Sequence, residues 1–125
     1  MLRVLVLLAV AAVAGGCGGS EDDEPQASEP ETRLEISVWR AGTDGPVRTA
    51  TVECPSPGDT CDQLDALDDP FAPVPEGAIC TLIYGGPQVA EVRGIFRGET
   101  VNARFNRTNG CEMQRWDRVA FLFPT

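Results

Sequence analysis

The sequence predicts an α+β domain, with an antiparallel sheet of about five strands, two short helices packed on it and two disulfides. Apolar and polar residues alternate with a period of two over residues 34–38 and again over residues 101–105. That period is typical of strands with one buried face. Two short helical patterns, one beginning near Thr60 and one after Gly110, complete the class.

The first half of the domain predicts a hairpin followed by a helix. Residues 34–39 and 47–53 are strand-like and are separated by turn residues rich in glycine. Thr60 and Gln63 have the spacing of a capping box, which predicts the start of a short helix. Pro70 pushes the residue before it out of helical geometry and so predicts where this helix has ended. Apolar residues fall on one face of the helix: Cys61, Leu64 and Leu67.

A proline-rich segment and a short apolar segment follow. Residues 69–76 contain three prolines, each of which has a fixed φ and no N–H, so regular strand pairing is not expected there. Residues 78–84 are apolar and are stopped by Gly85 and Gly86, which predict a looser backbone at that point.

The second half predicts another hairpin, a second helix and a final extended piece. Residues 90–96 and 101–105 are strand-like and meet at a turn marked by Gly98. In the second helix, Met113 and Trp116 share a face. Residues 121–123 predict a last buried, extended stretch. The two tryptophans, Trp39 and Trp116, are expected in the core.

Composition excludes several kinds of chemistry. The chain has 125 residues, a net charge of −9 and no histidine, and all 10 of its basic side chains are arginine. Without histidine there is no Ser-His-Asp or Cys-His triad in the chain, and without lysine there is no Schiff base. A strongly acidic chain repels phosphate backbones, so nucleic acid is not an expected partner. We therefore expect neither an enzyme nor a cofactor, and the arginines are expected to be solvated or paired with acids.

The beginning of the sequence is typical of an exported lipoprotein. Arg3 precedes an apolar run over residues 4–14, which is too short for a permanent span of roughly 20 residues. Ala14-Gly15-Gly16-Cys17 resembles a bacterial lipobox, in which the cysteine thiol carries the lipid. The expected organisation is a signal peptide at residues 1–16, a disordered acidic linker at 17–33 and a folded domain at 34–125. The alternative is an ordinary signal peptide with an incidental cysteine.

Cysteine usage agrees with export. Besides Cys17, the chain has four cysteines, and in an exported domain of this size they predict two disulfides. Sequence order leaves three pairings open. Zinc bound by all four is the competing interpretation, although their separations do not resemble paired C-x-x-C knuckles. The cysteines are Cys54, Cys61, Cys80 and Cys111.

Several segments together resemble the subtilisin inhibitor-like family of exported serine-protease inhibitors. The resemblance covers about residues 34–123 and includes four cysteines in the family's order. Its other elements are Cys80-Thr81-Leu82-Ile83-Tyr84, a valine-rich strand with Gly94 and a turn at Gly98, Asp69-Pro70-Phe71, Cys111-Glu112-Met113 and the stretch 119–123.

The resemblance implies a site as well as a fold. It implies a five-stranded antiparallel sheet with two helices, and it pairs Cys54 with Cys61 and Cys80 with Cys111. The reactive bond would join Leu82 to Ile83. The expected partners are a subtilisin- or chymotrypsin-like serine protease, the membrane through the lipid on Cys17, and by analogy a second copy in a homodimer. The remaining expected loop contacts are Ile79, Cys80, Thr81 and Tyr84.

Two questions remain open from the sequence. The apolar residues 79–83 fit either an exposed reactive loop or a buried strand whose residues serve packing alone. In the same way, the whole chain fits either a membrane-anchored protease inhibitor or a non-inhibitory binding or structural lipoprotein that retains the inhibitor fold.

Overall fold

The structure, a computed structural model, describes residues 29–125 and contains two hairpins and two helices in that part of the chain. The elements, in chain order, are strands β1 (Thr32–Trp39) and β2 (Val47–Cys54), helix α1 (Asp59–Asp65), strands β3 (Val89–Phe96) and β4 (Glu99–Asn106), helix α2 (Gly110–Val119) and a 3-10 turn (Ala120–Leu122).

The strands form one antiparallel sheet in the order β2-β1-β3-β4. The α+β class and both hairpins are as the alternating patterns predict. The expected number of about five strands is wrong, because within residues 29–125 the sheet has four. Residues 78–84 pair with no strand, and the final stretch forms the 3-10 turn and then a short tail.

One face of the sheet carries the core. Alternate residues of β1 and β3 are fully buried under the two helices and the chain terminus, which removes their apolar surface from water. Trp116 is buried in this core, whereas Trp39 lies on the opposite face of β1 and is half-buried. The core residues are Leu34, Ile36, Val38, Leu64, Ala90, Val92, Phe96, Ala103, Phe105, Trp116, Val119, Leu122 and Phe123.

Helix α1 begins two residues earlier than a capping box at Thr60 implies, and it lacks that box. Gly58 is its N-cap, and no side chain caps it. Cys61 and Leu64 are buried, and Leu67, beyond the end of the helix, is partly buried against the core. Since the helix ends at Asp65, it stops five residues before the proline that was expected to limit it.

Both disulfides join the pairs that the resemblance implies. Cys54 is bonded to Cys61 and Cys80 to Cys111, with Cα atoms 5.8 Å and 5.3 Å apart. The zinc interpretation is therefore wrong, because none of these four sulfur atoms is a free thiolate.

Strand register brings one end of the sheet, the second helix and the 78–88 segment together. Trp39, at the end of β1, pairs with Val89, at the start of β3, and Val89 pairs with Asn106, at the end of β4. Residues 78–88 lead directly into β3, and α2 starts four residues after β4. The apolar segment is therefore next to the first turn of α2.

The sequence predictions for the beginning of the chain fall mostly outside the described residues. The signal peptide at 1–16, the lipidation of Cys17 and the linker as far as residue 28 are not covered. β1 begins at Thr32, so the last two residues assigned to the linker belong to the sheet. In residues 29–125, no helix has the length and apolar character needed to span a membrane.

Candidate functional site

The segment of residues 78–88, called here the exposed loop, presents large apolar side chains to solvent. Ile79 is 100% exposed, Leu82 96%, Tyr84 67% and Ile83 59%. The other exposed large apolar side chains of residues 29–125, Val47 at 48% and Ile95 at 45%, are less exposed and lie on strands. The buried-strand interpretation of residues 79–83 is therefore wrong.

Two backbone hydrogen bonds hold this loop on either side of the Leu82–Ile83 bond. The N–H of Gly110 donates to the carbonyl oxygen of Thr81 at 2.9 Å, and the N–H of Gly85 donates to the carbonyl oxygen of Arg107 at 2.6 Å. Residues 82–84 lie between these two anchors. The segment is thus fixed at both ends while its middle residues project outwards.

The disulfide adds a covalent anchor on the same side as Thr81. Cys80 lies two residues before the Leu82–Ile83 bond, and its partner Cys111 is in the first turn of α2. The hydrogen bond joins Thr81 to Gly110, and the disulfide joins the adjacent residues Cys80 and Cys111. Two attachments at adjacent positions restrict the loop more than either the hydrogen bond or the disulfide would by itself.

Gly85 is packed tightly, so the glycine pair does not simply loosen the loop. A Cβ atom built on Gly85 would overlap the Sδ of Met113 and lie 3.1 Å from the carbonyl oxygen of Arg107. Gly86 follows with φ of 131°, a backbone conformation that side chains rarely tolerate. The first glycine allows close approach to α2, and the second allows the chain to turn towards β3.

Gly110, the donor to Thr81, is packed as tightly as Gly85. A Cβ atom there would overlap the Oγ1 of Thr81. Asn109, the residue before it, caps α2 by accepting a hydrogen bond from the N–H of Glu112 at 2.9 Å. The start of α2 is therefore fixed by its own cap as well as by the loop.

Arg115 locks α2 to the rest of the domain. Its guanidinium donates to the carbonyl oxygens of Ala72 and Arg104 at 2.8 Å and 3.1 Å, and to Glu112 at 2.8 Å. It also lies over the ring of Phe105, with Cζ 4.5 Å from the centroid. The side chain is 14% exposed, so these contacts are made largely out of water.

Arg107 supports the second anchor through its side chain. Its guanidinium pairs with Asp117 at 3.0 Å and lies 5.8 Å from the centre of the Trp116 ring. Arg107, whose carbonyl oxygen accepts the hydrogen bond from Gly85, is thereby connected to the middle of α2. Both arginines are paired, as the composition predicts, but they also position the loop.

The structure brings all six expected loop residues onto one exposed loop. Its anchors were not found from the sequence: the acceptor Arg107, the donors Gly85 and Gly110, the packing residue Met113 and the connecting residue Arg115. Backbone hydrogen bonds between distant residues leave no side-chain pattern in a sequence. Gly85 and Gly110 carried the one usable signal, since each glycine marks a close approach.

The chemistry available here is recognition by shape and by main-chain pairing. The exposed loop has no charged residue between Ala78 and Gln88. In residues 29–125 no group of three or more potential ligand side chains could hold a metal ion. No protein-family model and no curated protein matches this chain, so its function has to be inferred from its own residues.

Proposed function

We propose that this chain is an exported, membrane-anchored inhibitor of subtilisin- or chymotrypsin-like serine proteases. In this proposal the protease binds the exposed loop as it binds a substrate, with the peptide bond between Leu82 and Ile83 at its catalytic centre. The chain itself acts as a ligand and not as an enzyme. The flanking contacts are Ile79, Cys80, Thr81 and Tyr84.

The observation that carries the proposal is the combination of exposure and restraint at Leu82. A leucine side chain that is 96% exposed contributes little to the folding of its own domain. Its backbone is nevertheless held on one side by the Thr81–Gly110 hydrogen bond and the nearby disulfide, and on the other by the Gly85–Arg107 hydrogen bond. A side chain both projected and held in this way suits insertion into a partner's pocket.

Restraint also distinguishes an inhibitor from a substrate. A protease pairs with an extended segment as an added strand, and a segment that is already ordered loses little entropy on binding. If the Leu82–Ile83 bond is cut, both new ends stay attached through Thr81 and Gly85. The cleaved loop then remains in the binding site and resists turnover.

The side chains agree with the proposed class of protease. Leu82 is unbranched at Cβ and fits a deep apolar pocket. Ile83 is β-branched, which restricts its side chain after the bond. Ile79 is the fourth residue before the Leu82–Ile83 bond and would enter the protease's apolar pocket for that position. None of these side chains suits a protease that selects a basic or acidic residue.

Membrane attachment rests on Cys17 and the residues before it. A diacylglyceryl group contributes two acyl chains at about 0.8 kcal/mol per buried methylene, which is enough for stable anchoring. The acidic stretch that follows would hold the domain away from the lipid surface. The inhibitor would therefore act outside the cytoplasm, at the surface of the membrane.

Titration of subtilisin and chymotrypsin with the purified, oxidised protein tests the inhibitory function. We expect stoichiometric loss of activity for one or both enzymes and competition with a peptide substrate. Trypsin serves as the control, because its pocket requires a basic side chain at the position of Leu82. Absence of inhibition at micromolar protein would replace this proposal with a non-inhibitory binding or structural lipoprotein.

A further inference from the structure

Asn109 and Gly110 form a chemically reactive pair directly beneath the exposed loop. In an Asn-Gly sequence the backbone nitrogen of the glycine can attack the side-chain carbonyl carbon of the asparagine, since glycine has no Cβ to hinder the approach. The other asparagines of the chain, Asn102 and Asn106, precede Ala103 and Arg107 and are hindered.

Both partners of this reaction are held by hydrogen bonds. The N–H of Gly110, which supplies the attacking nitrogen, donates to the carbonyl oxygen of Thr81 at 2.9 Å. The side-chain oxygen of Asn109 accepts from the N–H of Glu112 at 2.9 Å, which fixes the asparagine in its cap. The reaction requires the first bond to break and the asparagine to turn out of the second.

The Cys80–Cys111 disulfide keeps the protecting contact in place. It joins the residue before Thr81 to the residue after Gly110, so it holds the two hydrogen-bonding groups next to each other and disfavours their separation. Opening this disulfide would free the loop, the carbonyl oxygen of Thr81 and the N–H of Gly110 together.

We propose that Asn109 is a site of spontaneous deamidation that the exposed loop keeps unreactive while the Cys80–Cys111 disulfide is intact. The nitrogen of Gly110 forms a bond to Cγ of Asn109, the Cγ–Nδ2 bond breaks, and ammonia leaves with the proton from the attacking amide. Water then opens the cyclic imide at either carbonyl, which yields aspartate or isoaspartate at position 109.

The two products have different effects on the anchor. Aspartate retains an oxygen that caps α2. Isoaspartate inserts an extra methylene into the backbone before Gly110, which displaces its N–H from the carbonyl oxygen of Thr81. Formation of isoaspartate would therefore make loop opening irreversible; its effect on protease inhibition rests on the proposed function, whereas the chemistry does not.

The experiment measures deamidation without any protease. The oxidised protein, a C80S/C111S variant, a C54S/C61S variant and a synthetic peptide of residues 106–114 are incubated at mildly alkaline pH. Peptide mapping by mass spectrometry then follows the amide-to-acid change at Asn109, with Asn102 and Asn106 as internal references in the proteins. The C54S/C61S variant is the matched control, because it loses a disulfide but keeps the Thr81 anchor.

We expect the oxidised protein to react roughly tenfold or more slowly than the peptide, because hydrogen bonds must first be broken. C80S/C111S should approach the peptide rate, and C54S/C61S should stay slow. A fast oxidised protein, or equal rates in the two variants, would overturn the proposal. Hydrogen exchange decides the case if C80S/C111S fails to fold: a Gly110 amide that exchanges freely in the oxidised protein also overturns it.

Discussion

Leu82 is a residue whose position folding alone does not explain. Burying a leucine side chain stabilises a protein by about 1.5–3 kcal/mol, and this one is left almost entirely in water. Because the neighbouring backbone is fixed, the exposure does not come from a free chain end. The apolar surface is available for a partner.

Substitution of Leu82 tests whether this side chain fills a protease pocket. Leu82→Met should retain inhibition, Leu82→Gly should lose most of it, and Leu82→Lys should shift inhibition towards trypsin. One methylene in an apolar pocket is worth only about 1–3 kcal/mol, so methionine is tolerated where glycine is not. Inhibition constants against subtilisin, chymotrypsin and trypsin check this.

Thermal unfolding of the three variants provides the control. Since Leu82 is exposed, the melting temperature should be nearly unchanged in all of them. Similar inhibition by all three variants would show that Leu82 does not enter a pocket, and the binding-lipoprotein alternative would gain support.

Gly85 tests the close approach between the loop and α2. Its φ is not in the left-handed region, so alanine is strained there only by contact with Met113 and the carbonyl oxygen of Arg107. Gly85→Ala should lower the free energy of unfolding by about 1–3 kcal/mol through overpacking. Chemical denaturation of the oxidised protein measures this loss.

Met113→Ala makes the Gly85 test specific. In the double variant the added methyl group has room, so its loss of stability should be smaller than the sum of the two single losses by at least about 0.5 kcal/mol. Strict additivity of the two substitutions would contradict direct packing between Gly85 and Met113.

At the scale of elements, helix α2 is the part that positions the exposed loop, and Arg115 helps to hold the helix beside the buried residues Trp116 and Val119. Arg115→Met keeps most of the length of the side chain but removes its donors to Ala72, Arg104 and Glu112. Removing charged hydrogen bonds from a largely buried group should cost about 1.5–3 kcal/mol of unfolding free energy. Denaturant unfolding measures the loss, and weaker protease binding should accompany it.

Arg118→Met is the matched control for this prediction. Arg118 is an exposed arginine in the same helix and donates one hydrogen bond, to the carbonyl oxygen of Asp68 at 3.0 Å. Its replacement should change stability by less than about 0.5 kcal/mol. Equal losses at the two positions would show that Arg115 has no special role in fixing α2.

The same elements show what the sequence could predict. Both hairpins were predictable because a period of two in apolar residues follows from burying one face of a strand. Helix α2 was predictable from its apolar pair and the polar residues before it. The prediction of a capping box at the start of α1 was wrong. A Thr and a Gln three residues apart occur in many sequences that form no such box, and here Gly58 is the N-cap.

The exposed loop was only partly predictable. Residues 78–84 have the composition of a short buried strand, and pattern alone cannot distinguish apolar residues that pack from those that face solvent. The resemblance indicated which bond to consider. The anchoring by Gly110 and Arg107 depends on how α2 and β4 meet the loop in space, and this information lies in tertiary contacts.

At the scale of the whole molecule, the proposed membrane anchor can be tested directly. Mass spectrometry of the protein extracted from its native membrane should find Cys17 as the first residue, carrying a diacylglyceryl group. A Cys17→Ser variant should carry no diacylglyceryl group, because the lipid attachment atom is gone. A mature form that begins at another residue would contradict the lipobox interpretation.

The topology of the sheet determines what happens if the exposed loop is cut. Cleavage between Leu82 and Ile83 leaves β1, β2 and α1 in one fragment and β3, β4 and α2 in the other. The central strands β1 and β3 pair along almost their whole length, so the cut separates the chain but not the sheet. The Cys80–Cys111 disulfide also joins the two fragments.

Limited proteolysis with subtilisin should therefore produce a nicked protein that remains folded. We expect a single species on a non-reducing gel, two fragments after reduction, and termini at Leu82 and Ile83 by mass spectrometry. The nicked, oxidised protein should still inhibit, because Thr81 and Gly85 keep both new ends in the binding site. In the C80S/C111S variant the covalent restraint beside Thr81 is missing, so the same bond should be hydrolysed faster and inhibition should be transient. A nick elsewhere, or immediate unfolding of the nicked protein, would contradict the mechanism.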